Sequence, residues 1–219
     1  YGLRLIAETA TTCDEAVEIV RMMNDRELYA GGSIITRWAF ADRFGTAMTV
    51  LNSHDEVTIE QRTGDGVIWT VARQDLPELL TSRSGALTPA DMNEASRLPG
   101  VCVPSNCSSM TVLIDPVEPE TFTCAWAAMG PANTTAYFPL YMGQSKTPLP
   151  YVNGEVYRYS LGPLSADAVA CFERESEKRR EQEEGAARRA LAAGDLPTTQ
   201  AHLGAAATEA VDMAHRLFD

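Results

Sequence analysis

The hydrophobic pattern changes period twice along this chain, and no other feature restricts the fold as much. As far as Gly31-Gly32, apolar residues recur at helical spacing: Ala16, Ile19, Val20 and Met23 form a stripe, with Asp14, Glu18 and Arg21 off it. Beyond the two glycines the pattern alternates, through Ser33 to Phe40, Thr46 to Leu51, Val57 to Gln61 and Gly66 to Val71. From Ser165 onward it is helical again, charge-dense and rich in alanine. Strands grouped in one block and helices in others give an α+β fold with a helical tail.

Local signals place the boundaries. Thr12-Cys13-Asp14-Glu15 has the T-x-x-E form of a capping box, so a helix starts there. Asp42-Arg43-Phe44-Gly45, Asn52-Ser53-His54-Asp55 and Thr63-Gly64-Asp65-Gly66 are turn-formers between strands, which predicts an antiparallel meander. Thr88-Pro89-Ala90-Asp91 starts a short helix. Met110, Val112 and Ile114, then Phe122, Cys124 and Trp126, alternate as a second hairpin turning near Pro116 to Glu120. Gly130 to Pro150 has no period and reads as an ordered loop over a sheet end. Such a loop either carries binding groups or is a connection packed by Tyr137, Phe138 and Tyr141.

In the tail, Glu175 with Arg179 and Arg180 with Glu184 have helix-supporting spacing, and the charged run Glu173 to Glu184 reads as a solvated helix face. Gly194-Asp195-Leu196-Pro197 ends one helix and starts another. Leu203, Ala207, Ala210, Ala214 and Leu217 then form a narrow stripe suited to close packing, so the tail is a helical hairpin.

A formal charge of -12 gives an acidic average surface that repels phosphate backbones and anionic headgroups, which argues against nucleic-acid and membrane partners. No apolar run approaches the roughly 20 residues that span a bilayer. The start Tyr1-Gly2-Leu3-Arg4 lacks a signal-peptide layout and reads as an internal start made by processing or truncation. This predicts a soluble chain and leaves open whether it is cytoplasmic or exported. Five cysteines are an odd set and argue against a disulfide framework, although Cys102 and Cys107 are near enough to bridge. With three histidines and no paired C-x-x-C, no metal site is expected, and nothing calls for a cofactor.

No self-contained catalytic motif is present: no G-x-S-x-G, G-x-x-x-x-G-K-[ST], H-E-x-x-H or G-x-G-x-x-G. Cys13 is at a helix start, where the dipole favours a thiolate, but Asp14 and Glu15 oppose it. Cys124 and Cys171 read as buried structural thiols. Asp42, Asp55, Asp65 and His54 occupy polar turns that local backbone bonding explains. The polar segment from Val101 to Met110, with Asn106 and Ser108, leads into a strand. Its donors either help to bind a substrate or merely hold the turn together.

Several segments together resemble the cysteine N-terminal-nucleophile hydrolases of linear amides, the group of the penicillin acyltransferase-like proteins and bacterial dipeptidases. They are the run Ile6 to Val17 with its threonines and Glu15-Ala16, then Phe40-Ala41-Asp42-Arg43-Phe44-Gly45-Thr46-Ala47. Ser109 to Pro116, Ala125 to Pro131 and Tyr137 to Leu140 are similar to that family's paired late strands, and the helical tail matches in kind. The resemblance implies a four-layer αββα sandwich, of which residues 1–164 form an incomplete hydrolase-like domain and 165–219 a helical hairpin packed on it. It implies an amide-bond hydrolase or acyltransferase for small acylated amines or peptides. A cysteine freed by autoproteolysis forms a thioester and its own α-amine acts as base. Residue 1 is Tyr, so that nucleophile is expected in a missing N-terminal segment or a second processed subunit. Where relatives would carry Thr-Asn-His this chain has Val71-Ala72-Arg73-Gln74. Ala72 then removes an oxyanion donor typically worth about 3 kcal/mol. Arg73 and Gln74, with Asn106 and Ser108, are the substrate-binding candidates. The alternative is a non-catalytic binding relative that keeps the sandwich without the chemistry.

Overall fold

The computed structural model describes residues 2–28, 36–53, 56–63, 87–102, 108–160 and 164–219. They form two compact units, Tyr1–Leu87 and Thr88–Asp219. The boundary expected at 164/165 falls inside the second unit.

In the first unit, α1 (Gly2–Thr9) and α2 (Cys13–Asp25) precede β1 (Thr36–Ala41), β2 (Ala47–Asn52) and β3 (Val57–Thr63). The strands make an antiparallel sheet in the order β1-β2-β3. The Thr12 hydroxyl accepts the Glu15 N–H at 3.2 Å and caps α2. The Glu15 carboxylate, however, takes the N–H and hydroxyl of Thr11 at 2.7 and 2.6 Å, so the reciprocal half of the box closes one residue earlier than the T-x-x-E spacing predicts. Val17 of α2 packs with Met48 and Val50 of the central strand β2, and Ala16 and Val20 pack beside them with Trp38 and Phe40. A bulge between Thr49 and Val50 interrupts the β2–β3 register. The strand expected at Gly66 to Val71, the turn residues His54, Asp55 and Asp65, and the first residues of the Ser33 to Phe40 strand lie outside the described residues.

The second unit begins with α3 (Pro89–Arg97), whose capping box is complete. The Thr88 hydroxyl accepts the Asp91 N–H, and the Asp91 carboxylate accepts the Thr88 N–H at 2.8 Å. Next come β4 (Ser109–Leu113), the short helix α4 (Pro119–Phe122), β5 (Cys124–Ala128) and β6 (Phe138–Tyr141). They form a second antiparallel sheet, β4-β5-β6. Two expectations are corrected here. The connection between the paired strands contains α4, with Asp115 accepting the N–H groups of Val117 and Glu118, so Phe122 belongs to a helix and not to the strand. The aperiodic stretch from Gly130 to Pro150 contains β6. That strand lies on the outside of the sheet, where Pro139, which has no N–H to donate, is tolerated.

After α5 (Leu149–Val152) and a 3-10 turn (Val156–Ser160), the chain ends in α6 (Ala166–Ala192) and α7 (Leu196–Phe218). Gly194 at φ 77° makes the break and the Asp195 carboxylate caps α7 through the Thr198 N–H. Leu203, Ala207, Ala210 and Ala214 are buried as the stripe predicts, whereas Leu217 is exposed. The helix pair packs against the sheet. Trp126, Cys124, Phe122 and Tyr141 pack with Ala187 and Leu203, and Phe138 packs with Phe172, Ala210 and Ala214. On β4, Thr111 is buried while Met110 and Val112, on the opposite face by alternation, are 68% and 46% exposed. The chain is therefore α+β, with two small three-stranded antiparallel sheets and a C-terminal helical pair.

Candidate functional site

The densest polar chemistry in the described residues lies between α6 and the β4-β5-β6 sheet. Helical geometry turns Glu173, Ser176, Arg180, Glu184 and Ala187 to one side of α6, at steps of three or four residues. That side meets Trp126 of β5 and Tyr141 of β6. The charged run is thus not simply a solvated face: Arg180 is 7% exposed and Ser176 5%.

Arg180 is buried with partners on every side. Its Nε and Nη2 donate to the two Glu177 oxygens, both at 2.8 Å. Its Nη1 donates to the Tyr141 hydroxyl at 2.8 Å and to Glu184, and the guanidinium lies 5.3 Å from the Trp126 ring centre. The Tyr141 hydroxyl donates its own hydrogen bond to Glu184. Burial opposes the charge on Arg180, but the Glu177 and Tyr141 contacts hold its pKa above the usual value. Burial likewise opposes the Glu184 carboxylate. The Tyr141 and Arg188 hydrogen bonds and the nearby guanidinium charges more than offset it, leaving that pKa low.

Two further arginines extend the network. Arg188 binds Glu184 at 2.7 Å and Asp115 at 2.5 Å while lying 4.0 Å over the Phe122 ring, tying the β4–β5 connection to α6. Arg97 of α3 grips both Glu173 oxygens and the carbonyls of Ala132 and Thr135, 5.1 Å from the Tyr137 ring centre. Glu173 also accepts the Tyr137 N–H at 3.1 Å. The Tyr137 and Ser96 hydroxyls are hydrogen-bonded to each other at 2.5 Å. The expected Glu175–Arg179 pair does not form; Arg179 reaches Gln182 and Glu209 instead.

A cavity of about 520 Å³ opens where α3, β5 and α6 meet. Asn93, Trp126, Tyr137, Ala170, Ser176 and Glu181 are among its lining. Asn93 is 4% exposed, and its carboxamide oxygen is buried without a hydrogen-bond partner.

Of the predicted binding residues, Arg73, Gln74 and Asn106 lie outside the described residues. Ser108 is exposed just before β4 and is not part of the arginine network or the cavity. Two of the described cysteines, Cys13 and Cys124, are not set up as nucleophiles. Burial, assisted by the Asp42 charge, pushes the Cys13 thiol up to about 12, and burial does the same to Cys124. The Cys102 thiol donates to Asn133 Oδ1 at 3.2 Å. Asp42 accepts the N–H groups of Phe44 and Thr46, each at 3.0 Å, and reaches across to the Cys13 N–H at 3.1 Å, so it anchors the start of α2 as well as its own turn. No group of three or more possible metal ligands occurs among the described residues. No described helix is long and apolar enough to cross a membrane.

Fold and site together define an α+β protein whose second sheet is bonded to a helical pair through a buried arginine network beside a part-apolar cavity. No protein-family model, curated protein or solved structure matches the chain.

Proposed function

We propose that the chain supplies scaffold and pocket wall to an amide-bond hydrolase or acyltransferase that acts on small acylated amines or peptides through a cysteine thioester, within a four-layer αββα sandwich. One observation carries the reading. The β4-β5-β6 sheet packs on the helical pair through Cys124, Trp126 and Tyr141, while the apolar side chains of Met110 and Val112 on its β4 edge stand exposed. Exposed apolar side chains at that edge suit a further layer, as in a sandwich. A second sheet stacked at about 10 Å would remove those side chains from water at about 25 cal/mol per Å².

The chemistry assigned to it is ordinary acyl transfer. A thiolate adds to the amide carbonyl, the amine departs with a proton, and water or an acceptor amine then opens the thioester. Cys13 and Cys124, almost wholly protonated at neutral pH, are not assigned this role. The same two thiols favour a second reading, a binding relative without turnover.

The test is intact-mass spectrometry with a chromogenic acyl-amide panel, before and after iodoacetamide. Acid-trapped protein carrying the acyl mass, with turnover abolished by alkylation, is the expected result. Turnover that survives complete alkylation overturns the thioester. Absence of both adduct and turnover leaves the binding reading.

A further inference from the structure

We infer that the cavity between α3, β5 and α6 binds a small uncharged molecule with an apolar body and a carbonyl oxygen, which accepts hydrogen bonds from the Ser176 hydroxyl and the Trp126 indole N–H. The site stands apart from acyl transfer, because no described thiol lines it.

Ser176 of α6 and Trp126 of β5 are each 5% exposed, and both line the cavity. Ser176 lies one helical turn before Arg180 on the same side of α6, and the Arg180 guanidinium is 5.3 Å from the Trp126 ring centre, so the two residues belong to adjoining walls. Among the described residues neither Ser176 Oγ nor Trp126 Nε1 has a hydrogen-bond partner, yet neither is sealed from solvent as the Asn93 oxygen is. Their remaining accessible surface therefore opens on the cavity. An indole N–H can only donate and a hydroxyl can donate, so the pair suits an acceptor. A carbonyl oxygen takes these bonds in place of solvent, with no existing contact broken.

Charge selects against ions. The Glu173 carboxylate is held by Arg97, and the Glu177 carboxylate by Arg180. Glu181, Arg174 and Lys178 contribute both signs to the exposed rim. An ammonium or carboxylate guest would surrender its hydration for a nearly balanced field, and an ammonium would bring only donors to donors. The walls made by Pro89, Ala90, Tyr137 and Ala170 suit an apolar or aromatic body, and the volume is that of an ordinary small-molecule pocket.

The experiment measures dissociation constants by ligand-observed NMR for benzylacetone, an uncharged aromatic ketone, with phenethylamine and hydrocinnamate as charged counterparts. Wild type is expected to bind the ketone at submillimolar Kd and each ion about tenfold or more weakly. Ser176→Ala removes one donor and should weaken the ketone about fivefold with both ions unaffected. Ala170→Phe, at an exposed position on the cavity lining, should weaken it about tenfold by filling the space. The Trp126 indole N–H resonance, assigned by its absence from Trp126→Phe, should shift when the ketone is added to wild type. Equal ketone affinity in wild type, Ser176→Ala and Ala170→Phe overturns the site, as does absence of binding to the wild type. An unmoved Trp126 resonance overturns the indole donor, and preference for either ion overturns the uncharged class. Binding is read without turnover, so failure here leaves the thioester question to the mass measurement.

Discussion

Glu184 shows how a single side chain on a charged helix becomes structural. Its folded pKa lies below the ordinary carboxylate range, burial being outweighed by Tyr141, Arg188 and Arg180. The unfolded chain therefore takes up the proton first as pH falls. The contribution is fully present above the unfolded pKa of about 4.3 and is lost as pH drops through the folded value. Wild type should lose thermal stability between about pH 5 and pH 3 more steeply than Glu184→Gln, whose amide cannot titrate. Parallel Tm curves for the two proteins would show that Glu184 is not coupled to folding. The i,i+4 spacing of Arg180 and Glu184 was legible in the sequence, but their burial was not. It depends on Trp126 and Tyr141, distant in sequence and brought near only by the strand pairing. A run of Glu and Arg has the same composition whether water or a tyrosine hydroxyl satisfies it.

Among the elements, those set by their own backbone chemistry were readable. Thr12, Thr88 and Asp195 each cap a helix because a short oxygen-bearing side chain precedes an orphaned N–H, and Gly194 takes the positive φ that ends α6. The strand β6 was not readable, because Pro139 and the surrounding aromatics erase the alternation and only pairing with β5 makes it a strand. The same distinction explains α4, where Asp115 gathers the N–H groups of Val117 and Glu118 in what periodicity presents as a simple turn. Thr88→Ala should cost about 1 kcal/mol in urea unfolding. A change within about 0.5 kcal/mol would mean that the Thr88 cap does not hold α3.

For the molecule as a whole, the α+β class followed from the two changes of period. The way in which the sheets are layered did not, since exposed Met110 and Val112 give no sequence signal distinct from any alternating strand. Val112→Lys, tested in the full protein as isolated, is the measurement for the sandwich. A lysine forced beneath a second sheet should destabilise by about 2 kcal/mol or more. A change within about 0.5 kcal/mol, the range of ordinary surface substitutions, would leave that face to solvent and remove the four-layer proposal.

The guanidinium of Arg180 also limits how the helical pair can move. Sliding α6 along the sheet by one turn, about 5.4 Å, would separate Arg180 from the Tyr141 hydroxyl and the Trp126 ring. It would leave a cation in the interior with half its partners gone, a loss of the order of 3–5 kcal/mol. Small displacements therefore gain nothing on the way to a large one. The contact behaves as a key in its slot: the helices are either seated in this register or detached from it, with no gradual path between.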